Sequence, residues 1–240
     1  MRWWRGLFQR MCPVLTLAID CSARFCAVAL LETSGNRILA AASPDIGRGH
    51  AEQLPAIMQS VLAEAGVELS RITRIGVTVG PGSFAGIRVG VAFARGLALA
   101  LDVPVVGVGS LDAIALPAAA SQRKPVMAVL DAKRDHVWAM LVDADGAASR
   151  PAAELTPDTA SALALETGCL ITGSGAGLLA GINPALAPQI IGDRVAPEIE
   201  DVARLAATLD PVTSPAEPRY LRDADAKPQA GFVLPHQEAG

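Results

Sequence analysis

At 240 residues the chain is long enough for one large domain or two small ones, each with its own core. Hydrophobic residues make up 51% of it but aromatics only 4%, so the core must be built from Ala, Val, Leu and Ile, with closely approaching backbones. A net charge of −4, with no run of Lys and Arg interleaved with aromatics, argues against a grip on nucleic acid by this chain alone.

The first ten residues carry Arg2, Arg5 and Arg10, but their apolar part is too short for a signal peptide and no small-residue cleavage site follows. With Met11 standing just before the first strand, they read as an upstream start or an arm. Residues 1–13 are accordingly expected to be a disordered extension. Val14 to Asp20 is an apolar strand ending in an acid, Phe25 to Leu31 a second strand closed by Ser34-Gly35, and Arg37 to Ser43 a third. From His50 the apolar positions 54, 57, 58, 61 and 62 define one face of a helix.

Ile75 to Val79 then leads into Gly80-Pro81-Gly82-Ser83-Phe84-Ala85-Gly86-Ile87-Arg88-Val89-Gly90, and an Ala-rich helix runs on to Leu101. The order is strand, glycine loop, helix. Such a loop can turn sharply and expose amides to an anion, or it can pack closely against another segment. Known phosphate loops fit badly: no Lys-Ser/Thr pair follows the last glycine, and the spacing from Gly80 breaks the dinucleotide fingerprint. Ser83 lacks the flanking glycines of a nucleophile elbow. In the helix, Gly86, Gly90, Ala94 and Ala98 recur every four residues. That smooth stripe suits a partner helix, or close packing on the chain's own sheet. The stretch Val89 to Val108 is interrupted by Arg95 and Asp102, so it reads as a buried helix and strand rather than a membrane span.

The second half repeats the first. Pro125 to Asp131, His136 to Val142 and Asp145-Gly146 align on the earlier segments at an offset of 111 residues, setting Asp20 on Asp131, Leu30 on Leu141 and Gly35 on Gly146. Ala147 to Leu155, a helix over Pro157 to Glu166, and Cys169 to Gly177 complete the second copy. The expected fold is α/β, with two ribonuclease-H-like lobes of the actin, sugar-kinase and Hsp70 type around a cleft. The lobes are placed at residues 14–109 and 110–222, with a tail over 223–240. In that plan Asp20 and Asp131 face each other across the cleft, with Ser22 in the first turn near a nucleotide's phosphates. Acids at strand ends are also common as plain termination.

Cys12, Cys21, Cys26 and Cys169 form no CxxC pair and no disulfide framework, in keeping with a reducing cytosol. His50, His136 and His236 are scattered, and no histidine pair at i, i+4 suggests a metal site. Near the end, Arg219 and Arg222 flank Tyr220, a cluster that either pins the tail on the first lobe or adds phosphate contacts once a partner is bound.

From Val14 to Leu221 the chain resembles the bacterial TsaB (YeaZ) family, accessory subunits of the machinery that makes threonylcarbamoyladenosine in tRNA. The residues carrying the resemblance are Leu17-Ala-Ile-Asp20 with Ser22, His50-Ala-Glu-Gln-Leu-Pro and above all the glycine loop. Gly96-Leu-Ala, Pro104 to Ser110, Leu130-Asp-Ala-Lys-Arg and Ala216-Glu-Pro-Arg-Tyr-Leu-Arg222 support it. Cys21 and Ala85 depart from it, each standing where the family usually has Thr. The resemblance implies a non-catalytic subunit, with neither metal nor cofactor of its own, docking on a TsaD-like catalytic partner that would hold ATP and magnesium. A TsaE-like ATPase, a homodimer of the free chain, tRNA contact only through the complex, and a cytoplasmic, membrane-free location are implied with it. It places the contact surface on the helices after the first meander and the glycine loop: His50, Leu54, Ile57, Met58 and Val61 on one, Gly86, Gly90, Ala94 and Ala98 on the other. Gly80, Pro81, Gly82, Ser83, Gly86 and Arg88 form the loop, and Asp20, Ser22 and Asp131 a vestigial nucleotide cleft. The competing reading is a kinase or ATPase acting alone through Asp20, Ser22 and Asp131. A peptidase is not supported, because no His lies near a Ser or Cys in a nucleophile motif.

Overall fold

The computed structural model describes residues 14–221, so the expected N-terminal extension, the tail over 223–240 and Arg222, Cys12 and His236 lie outside the described residues. Strands β1 (Leu15–Asp20), β2 (Ala27–Glu32), β3 (Arg37–Ala42), β4 (Arg74–Gly80) and β5 (Val105–Gly109) form one sheet in the order β3-β2-β1-β4-β5. The first three pair antiparallel; β1–β4 and β4–β5 pair parallel. Strands β6 (Val126–Lys133), β7 (His136–Val142), β8 (Ala148–Leu155), β9 (Leu170–Thr172) and β10 (Ile190–Gly192) form a second sheet, β10-β9-β6-β7-β8. Counted from the central strand outward, the two orders are the same. The fold is a duplicated ribonuclease-H-like α/β architecture.

Helices α1 (His50–Ala65) and α2 (Phe84–Leu101) cover one face of the first sheet. Their counterparts α4 (Pro157–Thr167) and α5 (Ala176–Ile182) cover the second. Leu17 and Ile19 of β1, Val28 and Leu30 of β2, Leu54 and Val61 of α1 and Ile87 and Ala94 of α2 meet in one core. Helix α3 (Ser110–Gln122) links the lobes and lays Leu111, Ile114, Ala115 and Ala119 on the other face of the second sheet.

The lobe boundaries drawn from sequence need one correction. Helix α6 (Ile199–Thr208), expected in the second lobe, returns to the first. Its Ile199, Val202, Ala203 and Ala206 cover Ala18, Ala29, Val106 and Val108, the face of the first sheet that α1 and α2 leave open. The following segment stays there: Ser214 O accepts from Gly107 N–H at 2.9 Å, Arg219 N–H donates to Val79 O at 2.7 Å, and Ala216 enters the first core. The physical reason is that a central sheet needs cover on both faces, and residues 14–109 supply helices for one only.

The internal alignment also shifts by one residue at its most informative point. On β1 the odd positions 15, 17 and 19 face α1 and α2, and on β6 the odd positions 127 and 129 face α4 and α5. Their true offset is therefore even, whereas β2 and β7 keep the odd offset of 111, with Val28, Leu30 matching Ala139, Leu141. The hairpin registers fix the difference: Asp20 pairs with Ala27, but Asp131 pairs with Val137. Asp131 thus stands at the place of Cys21, not of Asp20. A one-residue slip exchanges the faces of a strand, so the two acids cannot be equivalent.

Candidate functional site

Asp20 ends β1 with its side chain on the α6 side of the sheet and is 1% exposed. The Thr78 hydroxyl and the Ser22 backbone N–H, the latter at 2.8 Å, both donate to its carboxylate. Burial pushes its pKa up, and these hydrogen bonds only partly oppose the shift. Asp131 instead opens onto the cleft. Burial acts to raise its pKa, but the ammonium and backbone N–H of Lys133 outweigh that and hold it below the ordinary carboxylate value. The expectation that the two acids face each other is therefore corrected: one is buried and hydrogen-bonded inside its lobe, the other is ion-paired on the cleft wall.

The cleft between the lobes has a volume of about 480 Å³. Ser22, Ala23, Pro81, Gly82 and Ser83 line it from the first lobe, and Asp131, Lys133, Trp138 and Ser174 from the second. The glycine loop forms part of that wall, and its local geometry decides between its two readings. Gly80 has φ +111, a conformation that favours glycine, and an added Cβ would lie 2.7 Å from Arg219 O. A Cβ on Gly82 would strike Ser22 O, and one on Gly86 would strike Cys21 O. Ser83 N–H donates to Ser22 O at 2.7 Å, while Ser83 Oγ accepts from Gly86 N–H at 3.2 Å and caps α2. Pro81 is buried. The loop is glycine-rich because the first meander turn and the C-terminal segment press on it.

The fold family invites ATP and magnesium into this cleft, and the residues do not fit them. A metal-bridging carboxylate would have to stand open where Asp20 is buried. The amides of Ser83 and Gly86 already donate within the chain, and Asp131 is paired with Lys133. Among the described residues no group of three or more His, Cys, Asp or Glu side chains gathers as a metal site.

The contact residues expected on α1 and α2 are corrected likewise. His50, Leu54, Met58 and Val61 are buried, with Ile57 packed partly against the same core, and His50 Nε2–H donates to Phe25 O at 3.1 Å. Gly86, Gly90, Ala94 and Ala98 face inward as well: a Cβ on Gly90 would lie 3.5 Å from Cys21 Cβ and from Val77 Cγ2. The stripe packs on the chain's own sheet because β1 and β4 lie within reach of a helix only where its side chains are small. A second small-residue row faces outward: Ala85, Ala92, Gly96 and Ala100 on α2 are exposed, as are Ala56, Ser60 and Ala63 on α1. Leu99 beside it is 86% exposed.

Arg88, the last of the loop residues, is exposed. Its guanidinium lies 3.7 Å over the Phe84 ring and its Nε–H donates to the Tyr220 hydroxyl at 2.8 Å. The tail cluster thus pins the C-terminal segment to the first lobe. Sequence reasoning missed Thr78, Phe84, Lys133 and Trp138. Only Lys133, two residues after Asp131, carried a readable signal.

The chain matches the model of the TsaD family, tRNA N6-adenosine threonylcarbamoyltransferase, over residues 43–168. It is 34% identical over 127 residues to the tRNA threonylcarbamoyladenosine biosynthesis protein TsaB of Haemophilus influenzae, a match covering 51% of each chain; it spans about half the length of that curated relative. An uncharacterised protein of Mycobacterium tuberculosis is 34% identical over 189 residues, covering 76% of this chain and 80% of its own. The solved structure of YeaZ from Pseudomonas aeruginosa superposes with a TM-score of 0.67 at 28% identity, covering 87% of this chain and all of that one. Its two lobes, its glycine loop and these relatives agree, and the chain belongs to the TsaB/YeaZ family.

Proposed function

We propose that this chain is a non-catalytic subunit that docks on a TsaD-like transferase and activates it. The modification served is the threonylcarbamoyl group on the adenosine next to the anticodon, in tRNAs reading codons that begin with A. The observation that carries the reading is the family membership joined to the outward faces of α1 and α2. Each carries there a row of small residues, Ala56, Ser60 and Ala63 on α1 and Ala85, Ala92, Gly96 and Ala100 on α2, between longer polar side chains, and along those rows a partner's helices can approach closely. Gly96 has nothing within 4 Å of an added Cβ, so its lack of a side chain answers to no contact inside the chain.

In this reading ATP and magnesium belong to the partner, a TsaE-like ATPase joins the assembly, and tRNA is met only through the complex. The second copy of a free homodimer would use the same outward faces, and the assembly would work in the cytoplasm. The burial of Asp20 and the pairing of Asp131 with Lys133 support the absence of independent chemistry. Helix α2 is long and apolar enough by composition to cross a membrane, but its inner row covers β1 and β4, and Arg88 and Arg95 flank its outer row. The test is reconstitution with the TsaD-like subunit of the same organism. Threonylcarbamoyladenosine should form only with both subunits present, and magnesium-dependent ATP turnover by this chain alone would overturn the reading.

A further inference from the structure

We propose that Cys21 and Cys26 are a dithiol pair that closes to an intrachain disulfide under a two-electron oxidant, hydrogen peroxide or a small-molecule disulfide, and so fixes the first-lobe wall of the cleft. The β1–β2 register runs without a break to Asp20↔Ala27, and its next step sets Cys21 opposite Cys26. Cys26 N–H donates away from β1, to Pro44 O at 3.1 Å, which makes the two cysteines a non-hydrogen-bonded pair. Directly opposed residues of that kind have Cα atoms about 4.5 Å apart and side chains on one face, within the span a disulfide accepts.

Both side chains lie in the core under α1 and α2, 1% and 0% exposed. Gly90 closes the α2 side, where an added Cβ would lie 3.7 Å from Cys21 Sγ. The two thiols face each other across the pair, and their interaction raises the pKa of Cys21, a shift that burial adds to, and lowers that of Cys26. Cys26 is thus the attacking sulfur. Its thiolate attacks one peroxide oxygen, the O–O bond breaks, and water leaves once protonated. The resulting Cys26 sulfenic acid is attacked by the Cys21 sulfur; the S–O bond breaks, the S–S bond forms, and the second water leaves with the Cys21 proton. Two thiols lose two electrons and two protons, and peroxide becomes two waters. With a disulfide oxidant, two exchange steps release two small thiols instead.

Burial makes the reaction wait on local opening of residues 21–26, so it runs slower than at an exposed thiol. The consequence follows from what rests on the turn. Ser22 and Ala23 line the cleft, Ser22 O holds Ser83 N–H, and Phe25 O holds His50. Bridging its two ends restrains all three.

The test uses the full chain carrying Cys12→Ser, equilibrated in glutathione buffers and separately with peroxide. Free thiols are blocked with N-ethylmaleimide in denaturant. Trypsin cuts at Arg24, between the two cysteines, so only a bridge keeps the peptides 11–24 and 25–37 together in mass spectrometry. The expected result is a bridged pair, reversed by dithiothreitol and absent from Cys21→Ser and Cys26→Ser, with amide exchange at residues 22–25 slowed about tenfold in the bridged chain. A bridged fraction no higher in the folded chain than in concentrated urea would overturn the pairing. Bridging with unchanged exchange would overturn its effect on the cleft wall.

Discussion

The buried acid at the end of β1 gives the first lobe a pH dependence of definite sign. Burial favours the protonated Asp20 carboxyl, so its pKa in the folded chain lies above the ordinary 3.8. Its contribution to stability is then fully present below 3.8 and is lost as pH rises through the folded-state value. Asp20→Asn keeps the Oδ1 that accepts from both Ser22 N–H and the Thr78 hydroxyl, and it removes the titration. Urea unfolding at several pH values should therefore show a shallower loss of stability above pH 3.8 in the variant, and parallel curves would contradict the assignment. The end of β1 was legible as a strand terminus from Leu17-Ala-Ile-Asp20. Its face was not, because an alignment without gaps hides a hairpin that is one residue longer in the second copy. Only the pairing register, which depends on turn geometry, reveals that Asp131 stands in for Cys21.

Helix α2 presents small residues on two rows, and the two rows predict opposite responses to the same substitution. Gly90→Leu pushes a side chain into Cys21 and Val77 and should cost about 1–3 kcal/mol or more through overpacking. Gly96→Leu meets open solvent and replaces a poor helix former by a good one, which should stabilise the isolated chain by up to about 1 kcal/mol. Chemical denaturation of both variants checks the pair, and equal effects would mean the helix is rotated from the orientation described. Pattern alone could not choose between the rows, since Gly and Ala suit an internal contact and an external one equally. The cue present in the sequence was the company each row keeps. Ile87 and Val91 flank the inner row, whereas Arg88 and Arg95 flank the outer.

At the scale of the molecule the first lobe is not a continuous stretch of chain. Its sheet was readable from the apolar runs over 14–80 and the strand ending near Val108, and the duplication from the recurrence of meander, helix and glycine turn. The return of α6 was not, since a short amphipathic helix near a chain's end carries no mark of which sheet it covers. A fragment of residues 14–109 lacks Ile199, Val202, Ala203 and Ala206 and exposes the apolar face around Ala29, Val106 and Val108. It should fail to give a cooperative thermal transition by circular dichroism, and a sharp transition would contradict the role given to α6. At the same scale, the molecule's role in the function proposed is docking through the outward faces of α1 and α2. Calorimetric titration of the TsaD-like subunit with the wild-type chain and with Gly96→Leu tests it most directly. We predict binding by the wild type and at least a tenfold weaker affinity for the variant, roughly 1.4 kcal/mol, with its melting temperature not lowered. Equal affinities would contradict the claim that these helices carry the interface.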